Sequence, residues 1–213
     1  MSRSRYNLFV FGWVLSMALA ATPVLALEEG FDYQLLAQPQ PTETGDKVEV
    51  LELFWYGCPH CYHLEPVIDK WLAHKPAEAA FRRMPAILGP SWEPHARAYY
   101  AMQVMGVLDR LHPKLFTALH RERKRLFTKQ ALADWVASQG VDRDAFLSAY
   151  DSFEVDMKVR KAKLMTRRYG IDGVPSVIVA GKYRTSPTLT AGSERMFKVV
   201  EALVAKEAGK GEP

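Results

Sequence analysis

Apolar residues recur along this chain with two different spacings, and their alternation predicts an α/β fold. Residues 47–56 (KVEVLELFWY) have the β-branched and aromatic content of a strand and the nearly continuous apolar run of a buried one. Apolar residues then recur every three or four positions over 59–74, which predicts a helix. Residues 80–86 have strand character again, so these segments predict a β–α–β unit with parallel strands.

Helical spacing dominates the next part of the chain. Five helices are predicted, over 92–108, 113–123, 129–138, 143–150 and 153–169. Thr128 and Asp142 are the expected N-caps of the third and fourth of these helices. Gly140 and Gly170 are the expected stops after the third and the fifth.

Strands are also expected near both ends of the mature chain. They cover 33–36, 176–180 and 182–185, and a last helix covers 193–206. Strands of one sheet are normally joined by connections much shorter than the gap from 86 to 176, so the helices between them form an insertion. The predicted fold is a central mixed sheet flanked by helices, with an inserted all-helical domain. The α/β domain then comprises 27–88 and 166–213, and the helical domain comprises 89–165.

Residues 1–26 have the composition of a secretory signal peptide. Arg3 and Arg5 form a positive start, an apolar stretch covers 8–21, and Val-Leu-Ala before position 27 suits a cleavage site. An uncleaved membrane anchor is the alternative, because the apolar character continues weakly to Leu27. Both interpretations place the rest of the chain outside the cytoplasm, and the expected compartment is the oxidising periplasm.

Composition and charge exclude several classes of protein. Of the 213 residues, 48% are hydrophobic and 24% are charged, which excludes a disordered or collagen-like chain. The 2 cysteines are too few for a disulfide-stapled mini-protein or a four-cysteine metal site. The net charge is +4, and Arg3 and Arg5 of the signal contribute half of it, so there is no electrostatic case for nucleic acid.

The two cysteines form a C-x-x-C motif, Cys58-Pro59-His60-Cys61. Haem attachment is excluded because Tyr62, not histidine, follows the second cysteine. A zinc site with nearby histidines and an inert disulfide remain alternatives, although a disulfide across so short a loop adds little stability. A redox-active pair is the favoured interpretation.

The expected position of the motif at a strand-to-helix junction makes its two thiols unequal. Cys58 falls where unpaired N–H groups and the positive end of the helix dipole favour a thiolate. Pro59 suits the first helical position, and His60 can add a donor or partial positive charge beside the sulfur. Cys61, one turn later, should be less exposed. We therefore expect Cys58 to meet substrates, Cys61 to resolve the mixed disulfide, and the pair to donate a disulfide.

Glu52 is the polar exception in the apolar strand before the motif. One interpretation makes it an outward-facing strand residue, as Glu49 is taken to be. The other buries it beneath the cysteines, where it would accept a proton from Cys61 with a raised pKa. Arg83 in the next strand could then hold it charged.

Val174-Pro175 precedes the predicted strand at 176–180. Proline often opens a strand, so a purely structural role is one interpretation. The other is a cis bond that exposes the Val174 backbone beside the cysteines to an extended substrate.

Other polar residues carry no predicted function. The basic run at 120–125 (HRERKR) is expected to be the solvated end of a helix. His95 and His112 are isolated in the sequence and are assigned no role. Trp55 and Tyr56 either line a substrate groove or are buried.

The segments VLELFWYGCPHCYHLEP and YGIDGVPSVIVAGKYR resemble the two active-site segments of the DsbA family of periplasmic thiol:disulfide oxidoreductases. The order of predicted elements is similar as well, so the resemblance covers essentially all of 27–213. The Pro-His pair between the cysteines is specific, because thioredoxin-type reductases usually carry Gly-Pro there.

The resemblance implies a thioredoxin-like fold and a set of site residues. By position, Cys58 is the reactive cysteine, Cys61 its resolving partner and His60 the stabiliser of the thiolate. Pro175 is the cis-proline preceded by Val174, and Glu52 is the buried acid. Arg83 stands where the family's best-known member has a lysine, and because arginine does not lose its proton, a proton relay through this position is in doubt.

The resemblance also implies partners. The chain would be a monomer that oxidises reduced exported proteins, and a DsbB-type membrane oxidase linked to quinone would reoxidise it. No metal and no organic cofactor are implied beyond the Cys58-Cys61 disulfide. A disulfide isomerase or reductase on the same fold is the alternative, and a metal- or peptide-binding module without turnover is another.

Overall fold

The computed structural model describes residues 27–209, so the predicted signal peptide at 1–26 lies outside the described residues. The strands within that range are β1 (Gln34–Leu35), β2 (Val48–Phe54), β3 (Ala79–Pro85), β4 (Ser176–Val179) and β5 (Tyr183–Thr185). The helices are α1 (Pro59–Leu72), α2 (Glu93–Val104), α3 (Leu108–His120), α4 (Lys129–Ser138), α5 (Arg143–Tyr150), α6 (Phe153–Arg168) and α7 (Ser193–Ala208).

The strands form one mixed sheet in the order β1-β5-β4-β2-β3. β2 and β3 are parallel, as the β–α–β pattern predicts, whereas β4 runs antiparallel to β2 and to β5. The register pairs Glu52 of β2 with Arg83 of β3 and with Val177 of β4. A mixed sheet flanked by helices is therefore confirmed.

Helices cover both faces of the sheet, which is why β2 is apolar over nearly its whole length. Leu51 and Leu53 belong to a large core shared with the helices between β3 and β4. Val50 belongs to a second core, which includes Leu64 of α1 and Val200 of α7. The C-terminal end of β2 thus delivers the motif to the junction between the sheet and the inserted helices.

Local signals placed several helix ends correctly. α4 and α5 have the predicted bounds, and the side chains of Thr128 and Asp142 accept hydrogen bonds from the backbone N–H groups of Ala131 and Ala145. Gly140 and Gly170 have φ of +77° and +61°, a conformation in which glycine is not penalised. These stops and caps are confirmed.

The helix boundaries around α3 were predicted wrongly. α2 ends at Val104 because Gly106 adopts a φ of +68°, and α3 begins at Leu108, so that Pro113 lies inside it. α3 ends at His120, and residues 121–125 form an exposed loop in which Arg123 has a φ of +56°. The basic run therefore begins at the last residue of α3 and continues as an exposed loop, so the predicted helix extends three residues too far.

Helices α2 to α6 all lie between β3 and β4 in the chain, as the insertion requires. The division at residues 88 and 165 stays a prediction, and α6 continues through the second of these positions. Within residues 27–209, no helix combines the length and the apolar character that crossing a membrane requires.

Candidate active site

Cys58 is the N-cap residue of α1, and both cysteines are free thiols. Its backbone is extended (φ −90°, ψ 117°), its N–H donates to the Trp55 carbonyl at 3.0 Å, and Pro59 occupies the first turn of the helix. No side chain caps this helix end, so its first N–H groups are available to the Cys58 sulfur. The sequence-based position of Cys58 at the helix start is what the structure shows.

The Cys58 thiol is acidic. A hydrogen bond from the Cys61 thiol contributes most to lowering its pKa to about 6, against the opposing effect of burial. The backbone N–H groups of Cys61 and His60 and the charge of His60 add smaller contributions. His60 is exposed, so its side chain lies at the surface beside the motif.

The Cys61 thiol has the opposite character. Its residue is fully buried, and burial raises the pKa of the thiol far above its ordinary value. The neighbouring Cys58 and the Glu52 carboxylate raise it further. At neutral pH the pair therefore combines one thiol that ionises readily with one that holds its proton.

Glu52 is completely buried, so the interpretation that it faces outward is wrong. Its Oε2 accepts from Arg83 Nε at 3.0 Å, whereas its Oε1 has no partner. Burial raises the pKa of this carboxyl to about 8 in spite of Arg83. Glu49, also taken as outward-facing, is 1% exposed and pairs with Arg82 at 2.8 Å.

The Val174-Pro175 peptide bond is cis. Cys58 is 8% exposed and its Sγ lies 3.4 Å from the Val174 carbonyl oxygen, so the loop before β4 faces the Cys58 end of the motif. The same loop borders a groove of about 570 Å³ that also includes Phe31, whose side chain is largely exposed. An extended polypeptide could lie along this groove within reach of Cys58.

Three residues near the motif were not found by sequence reasoning. Glu65 of α1 accepts from Arg83 Nη2 at 3.1 Å, and His112 of α3 bonds the Tyr56 hydroxyl at 2.7 Å through Nδ1. His120 contacts the Tyr56 carbonyl oxygen at 2.7 Å and stacks on Tyr62. These contacts join positions far apart in the chain, so no local pattern marks them.

The aromatic residues before the motif divide between the two interpretations. Tyr56 is buried completely, and Trp55 is partly exposed and stacks on Trp92 at 4.3 Å between ring centroids. Among residues 27–209, no group of three or more His, Cys, Asp and Glu side chains is arranged to hold a metal ion.

A thioredoxin-like sheet that presents an acidic helix-capping thiol and a buried second thiol defines the class of thiol:disulfide oxidoreductases. The family model of the DSBA-like thioredoxin domain matches residues 49–204. The chain belongs to this DsbA family and is an oxidoreductase that exchanges disulfides with other thiols.

Individual relatives agree with this assignment. The thiol:disulfide interchange protein DsbA of Burkholderia cepacia is 38% identical over 197 residues, which cover 92% of this chain and 93% of that protein. The corresponding protein of Pseudomonas aeruginosa is 41% identical over 178 residues, or 84% of each chain.

Solved structures are similar over the same extent. A crystal structure of Pseudomonas aeruginosa DsbA has a TM-score of 0.81 at 40% identity and covers 86% of this chain and 96% of that one. The oxidoreductase DsbA of Xylella fastidiosa has a TM-score of 0.78 at 30% identity, with coverages of 84% and 96%. The likeness therefore includes the helical insertion as well as the sheet.

Proposed function

We propose that the oxidised chain donates its Cys58-Cys61 disulfide to reduced exported proteins in the periplasm. A substrate thiolate attacks Cys58 Sγ, the Cys58–Cys61 bond breaks, and Cys61 leaves as a thiolate that takes up a proton. The substrate's second thiolate then attacks the substrate sulfur that is bonded to Cys58. The substrate disulfide forms, and Cys58 leaves as a thiolate. Two electrons pass from the substrate dithiol to the enzyme, which ends with both cysteines reduced.

The difference in burial and acidity between the two thiols carries this proposal. Cys58 is 8% exposed and lies at a helix end beside the Val174-Pro175 loop that borders the groove, whereas Cys61 is 0% exposed. A substrate therefore has access to one sulfur only. The low pKa of Cys58 also makes it the better leaving group when the substrate's second thiol attacks.

The same acidity favours the direction of transfer. A Cys58 pKa of about 6 lies one unit below neutral pH, so ionisation stabilises the reduced protein at pH 7 by at most about 1.4 kcal/mol. For a two-electron couple this corresponds to roughly 30 mV towards a more oxidising disulfide. His60 and the helix end contribute to this stabilisation, and Pro59 fixes the turn between the thiols.

The remaining roles and partners are part of the proposal. Glu52 exchanges the proton with Cys61, and Val174 and Pro175 contact the substrate backbone. The enzyme acts as a monomer, uses no cofactor besides its own disulfide, and is reoxidised by a DsbB-type membrane oxidase linked to quinone. The signal at 1–26 directs it to the periplasm.

Equilibration with glutathione buffers, followed by mass spectrometry of alkylated protein, tests the direction of transfer. We expect the protein to be reduced in buffers that leave an ordinary structural disulfide intact. A pair that stays oxidised in strongly reducing glutathione would overturn the proposal in favour of a reductase.

Oxidative refolding of a reduced two-cysteine substrate tests whether the site turns over. The oxidised wild-type chain should restore the substrate's disulfide, and Cys58→Ala should not. His74→Ala is the matched control, because His74 is exposed two residues after α1 and its side chain bonds only the Lys70 backbone carbonyl. Equal refolding by Cys58→Ala and wild type would exclude the proposed chemistry.

A further inference from the structure

A buried cluster of charged and polar side chains connects the underside of the motif with a cavity between α1, β3, α2 and α3. Arg83 lies at its centre and bonds two carboxylates, Glu52 through Nε and Glu65 through Nη2. His112 Nε2 lies 3.4 Å from Glu65 Oε2, and the Tyr56 hydroxyl bonds His112 Nδ1. We call Glu52, Arg83, Glu65, His112 and Tyr56 the buried cluster.

The two carboxyl groups of the buried cluster are not equivalent. Glu52 has one donor, Arg83, and its side chain is 0% exposed. Glu65 Oε2 accepts from Arg83 and also lies 3.4 Å from His112 Nε2, and the Glu65 side chain is 13% exposed. Ionisation is favoured where more donors and more water meet the carboxylate, so the charge belongs on Glu65 and the proton on Glu52.

Tyr56 sets the direction in which His112 donates. A phenol with a strongly raised pKa keeps its proton, and burial raises the pKa of Tyr56 well above its usual value. Burial also lowers the pKa of His112, so the ring is neutral at pH 7. The hydrogen-bond network therefore assigns the Tyr56 O–H as donor to Nδ1 and puts the ring proton on Nε2, which lies 3.4 Å from Glu65 Oε2 without the alignment of a hydrogen bond.

Among residues 27–209, the other groups that act on the cluster leave this assignment unchanged. Burial opposes ionisation of Glu65, but contacts with His112 and Arg83 outweigh it and lower the pKa of that carboxyl. Asp69 of α1 also acts on His112 and favours its charged form, yet burial dominates there. Tyr99 of α2 donates to the Arg83 carbonyl oxygen and carries no charge at neutral pH, since burial raises its pKa well above the ordinary value.

We propose that His112, oriented by the Tyr56 hydroxyl, keeps Glu65 ionised and thereby leaves Glu52 as the carboxyl that holds the proton delivered to Cys61. This inference deepens the proposed function and rests on it. When the substrate thiolate attacks Cys58 and the disulfide breaks, the departing Cys61 thiolate takes the proton of Glu52. Glu52 Oε1 has no hydrogen-bond partner among residues 27–209, so the proton passes to Sγ of Cys61 through an intervening water, and Glu52 is left ionised beside Arg83.

The mechanism is electrostatic and needs no proton transfer through Arg83, whose guanidinium does not deprotonate. Glu65, Arg83 and His112 line a cavity of about 740 Å³, whereas Glu52 does not. The water-accessible end of the cluster therefore holds the fixed charge, and the dry end holds the exchangeable proton. His112 acts as a positioning residue, since it touches neither the sulfur atoms nor the substrate.

Carbon-13 NMR titration of the glutamate carboxyls in the reduced full chain tests the assignment without any substrate. Signals are assigned with Glu52→Gln and Glu65→Gln. In the wild type we expect Glu65 to be ionised at neutral pH and Glu52 to titrate at about 8. In His112→Phe the Glu65 pKa should rise and the Glu52 pKa should fall by about one unit, a tenfold change in ionisation.

Two further variants separate positioning from packing. Tyr56→Phe removes only the hydroxyl and should shift both carboxyls in the same directions, and His112→Gln restores an N–H donor and should return them towards wild-type values. His74→Phe is the control and should change neither. Carboxyl titrations that are identical in wild type, Tyr56→Phe and His112→Phe would overturn the inference.

A kinetic readout connects the titration to the chemistry. The reaction of the oxidised chain with a small thiol should lose rate as Glu52 deprotonates at high pH, and His112→Phe should move that loss to lower pH. If the carboxyl pKa values shift as expected but neither the wild type nor any variant turns over, the proposed function is contradicted and the charge assignment is retained. A pH profile of His112→Phe identical to that of the wild type would overturn the link to Cys61.

Discussion

At the scale of single residues, the difference between Cys58 and Cys61 arises from a separation of only one helical turn. Cys58 is the N-cap and is reached by N–H groups of the first turn, whereas Cys61 faces the core and is 0% exposed. The same thiol chemistry thus acquires two functions from its surroundings. Cys61 also acts on Cys58 directly, since its hydrogen bond is the largest cause of the low Cys58 pKa.

This ranking of causes gives a test. Cys61→Ala removes the largest contribution and should raise the Cys58 pKa from about 6 towards 9, and His60→Ala should raise it by less. Thiolate absorbance as a function of pH, or the pH dependence of alkylation, measures both values. His63→Ala is a suitable control, because His63 is exposed on the same helix and is not among the causes. A larger shift in His60→Ala than in Cys61→Ala would contradict the ranking.

The residues of the buried cluster mark how far sequence reasoning reached. Glu52 and Arg83 could be paired in advance, because neighbouring parallel strands place them side by side. His112 and Glu65 could not, since 47 positions separate them and only the packing of α3 on α1 brings them together. An isolated histidine gives no local signal, so the sequence alone could not point to the contacts that His112 makes with Tyr56 and Glu65.

At the scale of elements, the strands, caps and glycine stops were predictable because local propensity and tertiary packing agree there. The caps Thr128 and Asp142 and the turn at Ala180-Gly181 depend on residues within three positions. The start of α3 was predicted wrongly because Pro113 is typical of a first helical turn, whereas Gly106 ends the preceding helix and α3 begins soon after it. Local signals compete at such positions, and packing decides between them.

The turn between β4 and β5 provides a test of close backbone approach. Gly181 has a φ of +63°, and a Cβ there would lie 2.1 Å from the Gln40 carbonyl oxygen. Gly140 has a similar φ of +77° with open space around it. Gly140→Ala should therefore cost about 1–2 kcal/mol for the left-handed backbone alone. Gly181→Ala should cost ~1–3 kcal/mol more, because the Gln40 segment must move.

Urea unfolding of both glycine variants measures the difference. Only Gly181→Ala should also disturb the hydrogen bond from the Gln40 N–H to the Gly181 carbonyl, which hydrogen exchange of Gln40 would report. Equal losses of unfolding free energy in the two variants would show that the chain near Gln40 adapts without cost.

At the scale of the whole molecule, the helical insertion does more than cover the sheet. It supplies His112, which acts on Glu65, and Phe116 and His120, which pack around Tyr56 and Tyr62. The sheet half supplies the cysteines, Glu52 and the Val174-Pro175 loop. The acid–base environment of the disulfide is thus formed by both halves, and folding and redox state are linked.

This link predicts how pH changes the stability of the two redox forms. The folded-state pKa of Cys58 is about 6, below the ordinary value of 9, so its contribution to the stability of the reduced form is present at higher pH and lost as pH falls through 6. The oxidised form has no such thiol. The unfolding free energy of the reduced form minus that of the oxidised form should therefore rise between pH 6 and 9, by at most about 1.4 kcal/mol up to pH 7.

Urea unfolding of both forms across this pH range measures the difference. The raised pKa of Glu52 has the opposite effect, because its contribution is lost as pH rises through about 8, but Glu52 is present in both redox forms. Cys61 is also a thiol only in the reduced form, but because burial raises its pKa it opposes the rise only as the pH approaches 9, so below about pH 8 the difference reports Cys58. Reduced Cys58→Ser lacks the titrating thiol and should show no rise relative to the oxidised wild type. A difference that stays flat from pH 6 to 9 would mean that the Cys58 thiolate is no better stabilised in the folded chain than in the unfolded one.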